Sequence, residues 1–236
     1  MDSSITNAKA ERIPHGFTLV EMMVVLAIIG TITSIALFGQ QNFNRSLLLT
    51  DTAYTVAMSA RQAQTLGLSS RRYVGGGQDI TNAGYGLNLN SVTPAQYILF
   101  ADTRSVAPAP LASCPIGVAN TPEAKVGDCK YTGTGALVDG VVQTYTFNRG
   151  FTIANLCGTQ SGTALNLCVA TGGLSAIDIT FVRGNSETIF TGRTPAGGYV
   201  ALDNAKVYIQ SADGTAQRGV CFTRAGQISV SQGTCP

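Results

Sequence analysis

The stretch HGFTLVEMMVVLAIIG, residues 15–30, decides the interpretation of this chain, because it opens a long apolar run that holds one acidic residue. From Phe17 to Phe38 the only ionisable side chain is Glu21. A helix of this length would measure about 33 Å at 1.5 Å per residue, enough to span the hydrocarbon core of a bilayer. The run therefore predicts a transmembrane helix over residues 17–38.

The residues around the apolar run predict its orientation. Lys9, Arg12 and His15 precede it, and basic flanks stay on the cytoplasmic side of a membrane. The small-residue cleavage site of an ordinary secretory signal does not follow the run, so we expect the apolar segment to be kept. The chain should then cross the membrane once, with its N-terminus cytoplasmic and the rest exported.

The segment GFTLVE, residues 16–21, with the apolar run directly after it, resembles the processing motif of type IV prepilins and type II secretion pseudopilins. The resemblance implies that a prepilin peptidase cuts between Gly16 and Phe17 and that the new amine of Phe17 is N-methylated. Residues 1–16 are then a leader peptide. It also implies the bacterial inner membrane and other pilin or pseudopilin subunits as partners, with the periplasm or a surface pilus as the final location.

The acidic residue in the run needs its own explanation, because a charge inside hydrocarbon costs at least about 2.5 kcal/mol. Glu21 follows Phe17 by four residues, so it can lie near the lipid headgroups before assembly. Cleavage would create a cation for it, the terminal amine of Phe17 on the same chain or on a neighbour. In the resembled family this contact guides a new subunit into a growing filament, so Glu21 is predicted to be an assembly residue.

Residues 17–68 are predicted to form one long helix, apolar all round in its first half and amphipathic in its second. In the second half, apolar and small residues recur near helical spacing: Leu48, Ala53, Val56, Ala57, Ala60, Ala63 and Gln64. Asp51 and Arg61 should face solvent, and Gly67 is expected to stop the helix.

After the helix, alternating apolar and polar residues predict strands at 85–90, 96–102, 141–147, 176–182 and 205–210. Residues 103–136 are rich in Pro, Gly and Ala and predict an inserted loop region. Turns at 212–215 and 224–226 predict a C-terminal meander of three strands. The prepilin resemblance implies the α+β type IV pilin fold, with the helix packed on an antiparallel β domain over residues 69–236.

Two further segments, SARQAQTLGLSSRRYV at 59–74 and GVCFTRAGQISV at 219–230, resemble the GspH/FimT-like group of minor pilins and pseudopilins. This implies a structural minor pilin of a type IV pilus that primes, joins or caps the filament. A minor pseudopilin of a type II secretion system is the first alternative. A DNA-binding minor pilin of natural transformation is the second.

The DNA alternative depends on arginines. Some FimT-like pilins bind DNA through a C-terminal GRxR-type motif, but the corresponding residues here, 226–229, are GQIS and contain no arginine. Arg71, Arg72, Arg218 and Arg224 could still cluster and contact phosphates. Nucleic acid is thus the least favoured partner, and the formal net charge of +2 agrees with this.

Six cysteines follow the apolar segment: Cys114, Cys129, Cys157, Cys168, Cys221 and Cys235. An even number in an exported region favours disulfides. Six cysteines allow 15 pairings, and pairing of sequence neighbours is the simplest: Cys114–Cys129, Cys157–Cys168 and Cys221–Cys235. A metal site is disfavoured because the sequence has no CxxC pattern and its one histidine, His15, lies in the predicted leader.

Catalytic chemistry is not indicated by the sequence. The mature chain would have no histidine for a Ser-His-Asp triad, no GxxxxGK[ST] loop for phosphates, and no close pair of carboxylates after the anchor. We therefore expect a protein that is not an enzyme and that needs no cofactor or metal.

Overall fold

The computed structural model describes residues 16–69, 71–75, 78–80, 83–103, 127–133, 138–182 and 187–235, apart from the side chains of 38–43, 78 and 79. Helix α1 runs from Leu19 to Leu68. The chain divides into two compact units, Met1–Asn44 and Arg45–Pro236. The boundary falls within α1, between its apolar and amphipathic halves.

In the first unit, α1 contains a candidate membrane span from Leu19 to Leu37, and none of that segment is buried. The hydroxyl side chains of this segment are hydrogen-bonded within the helix. The hydroxyls of Thr31, Thr33 and Ser34 donate to backbone carbonyls three or four residues earlier, at 2.7–2.9 Å. Hydroxyl groups bonded in this way need no water, so they are compatible with an apolar surrounding.

The second unit contains the strands. In chain order they are β1 (Tyr73–Gly75), β2 (Gln78–Ile80), β3 (Gly84–Asn90), β4 (Gln96–Asp102), β5 (Gly140–Thr146), β6 (Thr152–Thr159), β7 (Asn166–Cys168), β8 (Ala176–Phe181), β9 (Ile189–Arg193), β10 (Tyr199–Leu202), β11 (Asn204–Gln210), β12 (Gln217–Thr223) and β13 (Ile228–Ser231).

These strands pair antiparallel in three sheets. Sheet I has the order β10-β9-β8-β3-β4-β5 and sheet II has the order β13-β12-β11-β6-β7, while among the described residues β1 and β2 pair only with each other. A bridge between Gln160 and Leu202 joins the end of β6 to sheet I. The predicted α+β class, with an N-terminal helix followed by antiparallel strands, is confirmed, and so is the meander of β11, β12 and β13.

One core joins both larger sheets to the amphipathic half of α1. The helix contributes fully or nearly fully buried residues at helical spacing: Leu49, Ala53, Val56, Ala57, Ala60 and Ala63. Asp51 and Arg61 are exposed, as predicted. Small alanines on the buried face let the sheets approach the helix closely, and Ser59 forms a buried hydrogen bond of 2.9 Å with the hydroxyl of Tyr97 on β4.

Gly67 has a different role from the one expected of a helix stop. It lies within the last turn of α1, and the positive backbone φ angles found in this structure do not include it. A Cβ at this position would overlap the backbone carbonyl of Phe181, at the end of β8. Glycine is therefore required by the close approach of the helix to sheet I rather than by a left-handed turn.

Disulfides secure both edges of sheet II. Cys157 on β6 is bonded to Cys168 on the edge strand β7, and Cys221 on β12 is bonded to Cys235, which follows the edge strand β13. Cys129 is also disulfide-bonded, whereas its predicted partner Cys114 lies outside the described residues. Most of the predicted loop at 103–136 lies outside them as well.

Candidate functional site

The first candidate site is the N-terminal end of α1, where Thr18 caps the helix. Its side-chain oxygen accepts a hydrogen bond from the amide of Glu21 at 3.2 Å. Its carbonyl accepts the first intrahelical bond, from the amide of Met22, at 3.2 Å. Thr18 and Glu21 have the T-x-x-E spacing of a capping box, which fixes where a helix begins.

This cap explains part of the tolerance for an acidic residue in the apolar run. Glu21 lies in the first turn of α1, where the unsatisfied amides give the helix terminus a partial positive charge. Gly16 and Phe17 precede the helix and are exposed. The peptide bond predicted to be cut therefore lies in a non-helical, accessible segment, and Glu21 follows Phe17 by four residues.

A second group of ionisable side chains lies on sheet I, where three buried carboxyl groups meet. Oxygens of Asp102, Asp128 and Asp139 all lie within 4.8 Å of one another. Both oxygens of Asp102 accept backbone amides, from Asp128 at 3.0 Å and Cys129 at 2.7 Å. Asp139 likewise accepts the amides of Thr103 and Thr132, at 3.0 and 2.8 Å. Asp128 forms an ion pair of 3.0 Å with Lys130.

The neighbouring strands hold the same segment, residues 127–133, against the sheet. The hydroxyl of Thr191 on β9 donates to the carbonyl of Cys129 at 2.7 Å, and Arg193 donates to the carbonyl of Tyr131 at 3.0 Å. Asp178 on β8 accepts from Asn88 at 2.6 Å and from the amide of Tyr131. The buried acids on β4 and β8, with Asp139 before β5 and two side chains on β9, therefore hold one backbone segment against sheet I.

Burial controls the protonation of these acids. It raises the pKa of Asp102 well above its usual value, and the nearby charges of Asp139 and Asp128 raise it further. Burial also raises the pKa of Asp178 to about 7, although hydrogen bonds from Asn88 and Tyr131 oppose the shift. Carboxylate oxygens of this kind suit hard cations such as Ca²⁺. Here, however, Asp102 and Asp139 direct both of their oxygens at backbone amides, which supports a structural role.

Comparison with known proteins concerns the N-terminal site. Residues 13–37 match the family model described as the prokaryotic N-terminal methylation motif. The chain carries a prepilin-type methylation motif. Over 29 residues it is 66% identical to a probable minor fimbrial protein of Dichelobacter nodosus, a segment that covers 12% of this chain and 18% of that protein. No solved structure gives a significant match to the chain.

Outside the methylation motif, the four predicted DNA-contacting arginines do not form one cluster. Arg218 reaches α1, where it donates to Thr50 at 3.0 Å and Ser46 at 2.8 Å. Arg224 forms ion pairs with Glu187 and Asp203, at 2.8 and 3.2 Å. These two lie at opposite ends of β12, about 20 Å apart at strand rise. Arg71 and Arg72 line a separate groove with Tyr73 and Tyr85.

Sequence reasoning missed two features of these sites. The capping role of Thr18 could have been predicted, because the T-x-x-E spacing before an apolar run is itself a helix-start signal. The buried acids gave no such signal, because Asp102, Asp128 and Asp139 are far apart in sequence and only the folded sheet brings them together.

Proposed function

We propose that this chain is a structural minor pilin subunit of a type IV pilus, made as a prepilin with a leader at residues 1–16. A prepilin peptidase cuts between Gly16 and Phe17 and the new terminus is N-methylated. The apolar half of α1 holds the subunit in the inner membrane until it enters the filament. There it primes, joins or caps the pilus, while the β domain faces outward.

One observation carries this proposal: the methylation motif at residues 13–37, with Glu21 in the first turn of a helix whose apolar segment is fully exposed. In the core of a helical filament, neighbouring helices replace the lipid that surrounds such a segment. A carboxylate that enters this core needs a cation, and the processed N-terminus supplies one at short range. The similarity to a probable minor fimbrial protein over the motif supports the same role.

The test is processing followed by location. With an active prepilin peptidase, mass spectrometry of the purified full chain should give a mature protein that begins at N-methylated Phe17. Gly16→Leu should keep its leader, because the peptidase would meet a bulky side chain at the bond to be cut. An intact leader on the wild-type chain in such cells would contradict the proposal.

Location separates a pilus subunit from a pseudopilin. A pilus subunit should be recovered in sheared surface filaments, and its deletion should reduce their number. Deletion of a pseudopilin should instead trap secreted enzymes in the periplasm. If processing occurs and only secretion fails, the prepilin assignment holds and the pilus role is replaced by the pseudopilin role.

A further inference from the structure

The two larger sheets end in four edge strands, and three of them are short and protected. The edge strand β7 has three residues, and the amides of Gly173 and Leu174 fold back onto its Cys168 carbonyl. Strand β10 has four residues, and the amide of Ser161 donates to its Ala201 carbonyl. Strand β13 also has four residues, and the Cys221–Cys235 disulfide bonds the chain that follows it back to β12.

The fourth edge, β5, has none of these protections. It is seven residues long, GVVQTYT, and contains no charged residue and no proline. Five of its seven residues are exposed, including Val141 and Val142. Within the part of the chain that the structure describes, its backbone pairs only with β4. Long uncharged edges of β-branched and aromatic residues are the kind that other strands pair with.

Open space lies beside the start of this edge. A groove of about 490 Å³ is lined by Val141 and Val142, by residues 71–75, and by Gln62, Leu66 and Tyr85. A bulge leaves Val142 without a partner on β4, because Leu99 pairs with Gln143 and Phe100 pairs with Val141. The regular part of the edge is therefore Gln143–Thr146, next to the groove.

We propose that this edge pairs with the β5 edge of a second copy of the chain, antiparallel, so that sheet I continues across two subunits. The neutrality of the strand supports an identical partner, because self-pairing places no like charges opposite each other. In a pairing centred on Thr144, Thr144 lies across from Thr144 of the other copy, and Gln143 lies across from Tyr145. Opposed threonines can form hydrogen bonds through their hydroxyls, and such cross-strand pairs favour strand pairing. The inference is independent of the proposed function.

The experiment uses the full chain in cell membranes, with two differently tagged copies expressed together. Gln143→Cys places one thiol at the proposed interface, and a short bismaleimide should link the two tags into a covalent dimer. The matched control is Val92→Cys, a 79% exposed position in the turn between β3 and β4, which should give little dimer. Equal linking from both positions would mean random collision in the membrane and would overturn the proposal.

A charge exchange tests the pairing itself. Thr144→Lys on both copies, in the Gln143→Cys background, should lower the dimer yield several-fold because like charges meet across the interface. Thr144→Glu on both copies should do the same. One Lys copy with one Glu copy should restore the yield, which also shows that both variants fold. Failure of this restoration, or linking of β5 only to a different protein, would rule out a second copy as the occupant.

Discussion

Glu21 lies where a helix N-terminus and, after the proposed cleavage, a free amine both favour a carboxylate. We expect Glu21→Ala to leave membrane insertion intact, because removing a charge from an apolar helix makes insertion easier. Incorporation into filaments should fall sharply, since in the packed filament core the Phe17 amine would be buried without its counter-charge, at a cost on the order of 3–5 kcal/mol. The measurement is the ratio of subunit in sheared filaments to subunit in membranes.

Two further substitutions separate charge from helix capping. Glu21→Gln keeps a capping-box residue but loses the charge, so it should also fail to incorporate, though less completely. Thr18→Ala loses the cap bond but keeps the charge, and it should incorporate close to the wild-type level. If both Glu21 variants entered filaments as well as wild type, the pairing role assigned to Glu21 would be wrong.

The buried carboxyl group of Asp178 should give the protein an unusual dependence of stability on pH. Burial raises its pKa to about 7 in the folded protein, against about 3.9 for an aspartate in an unfolded chain. Between about pH 4 and pH 7 the folded state holds a proton that the unfolded state has lost. The free energy of unfolding should therefore fall as the pH rises through this range. Asp102, whose pKa burial also raises, acts in the same direction.

The check is the thermal midpoint of residues 45–236 across that pH range. The wild-type domain should melt higher near the acidic end. Asp178→Asn should be less stable overall, because one amide oxygen would have to accept from both the Asn88 side chain and the Tyr131 amide, but its dependence on pH should be weaker. Asp51→Asn, which alters an exposed carboxyl, should keep the wild-type slope. A slope that is unchanged in Asp178→Asn would exclude Asp178 as its source.

At the level of elements, Gly67 links α1 to sheet I by close approach. Ala is a better helix former than Gly by about 1 kcal/mol, so propensity alone predicts that Gly67→Ala is stabilising. The added Cβ, however, would overlap the Phe181 carbonyl, and backbone cannot move aside as a side chain can. We expect a net loss on the order of 1–3 kcal/mol, measured by urea unfolding of residues 45–236.

The matched control for Gly67→Ala is Ser69→Ala, two residues later at an exposed position, which should change the free energy of unfolding by less than about 0.5 kcal/mol. A Gly67→Ala variant that is more stable than wild type would show that the helix can shift away from β8.

Whether an element could be predicted from the sequence depends on its surroundings in the fold. The helix and strands β3, β4, β5, β8, β11, β12 and β13 carry a regular hydrophobic pattern or a turn signal, and their ends lie within two residues of where that pattern places them. Strands β1, β2, β6, β7, β9 and β10 were missed. They are short or rich in small polar residues, and β9 is buried on both faces, so alternation does not mark it. The division into two sheets depends on pairings such as β3 with β8 that no local pattern contains.

At the level of the whole molecule, the division at residues 44 and 45 separates an exposed apolar helix from a unit with its own core. All members of that core lie from Leu49 onward. A variant lacking residues 1–44 should therefore be soluble. It should also contain no reactive thiol under denaturing, non-reducing conditions. Two or more thiols per chain in a thiol titration would contradict the predicted pairing of all six cysteines.

The pinning of residues 127–133 has a consequence for how the sequence can vary. Asp102 accepts hydrogen bonds from the amides of Asp128 and Cys129 directly, so the two ends of the intervening segment are already held together by the fold. Doubling the length of a segment whose ends are fixed costs only about 0.6 kcal/mol of closure entropy. We therefore expect a foreign peptide or an affinity tag inserted between these ends to leave the arrangement of the sheets and the helix unchanged.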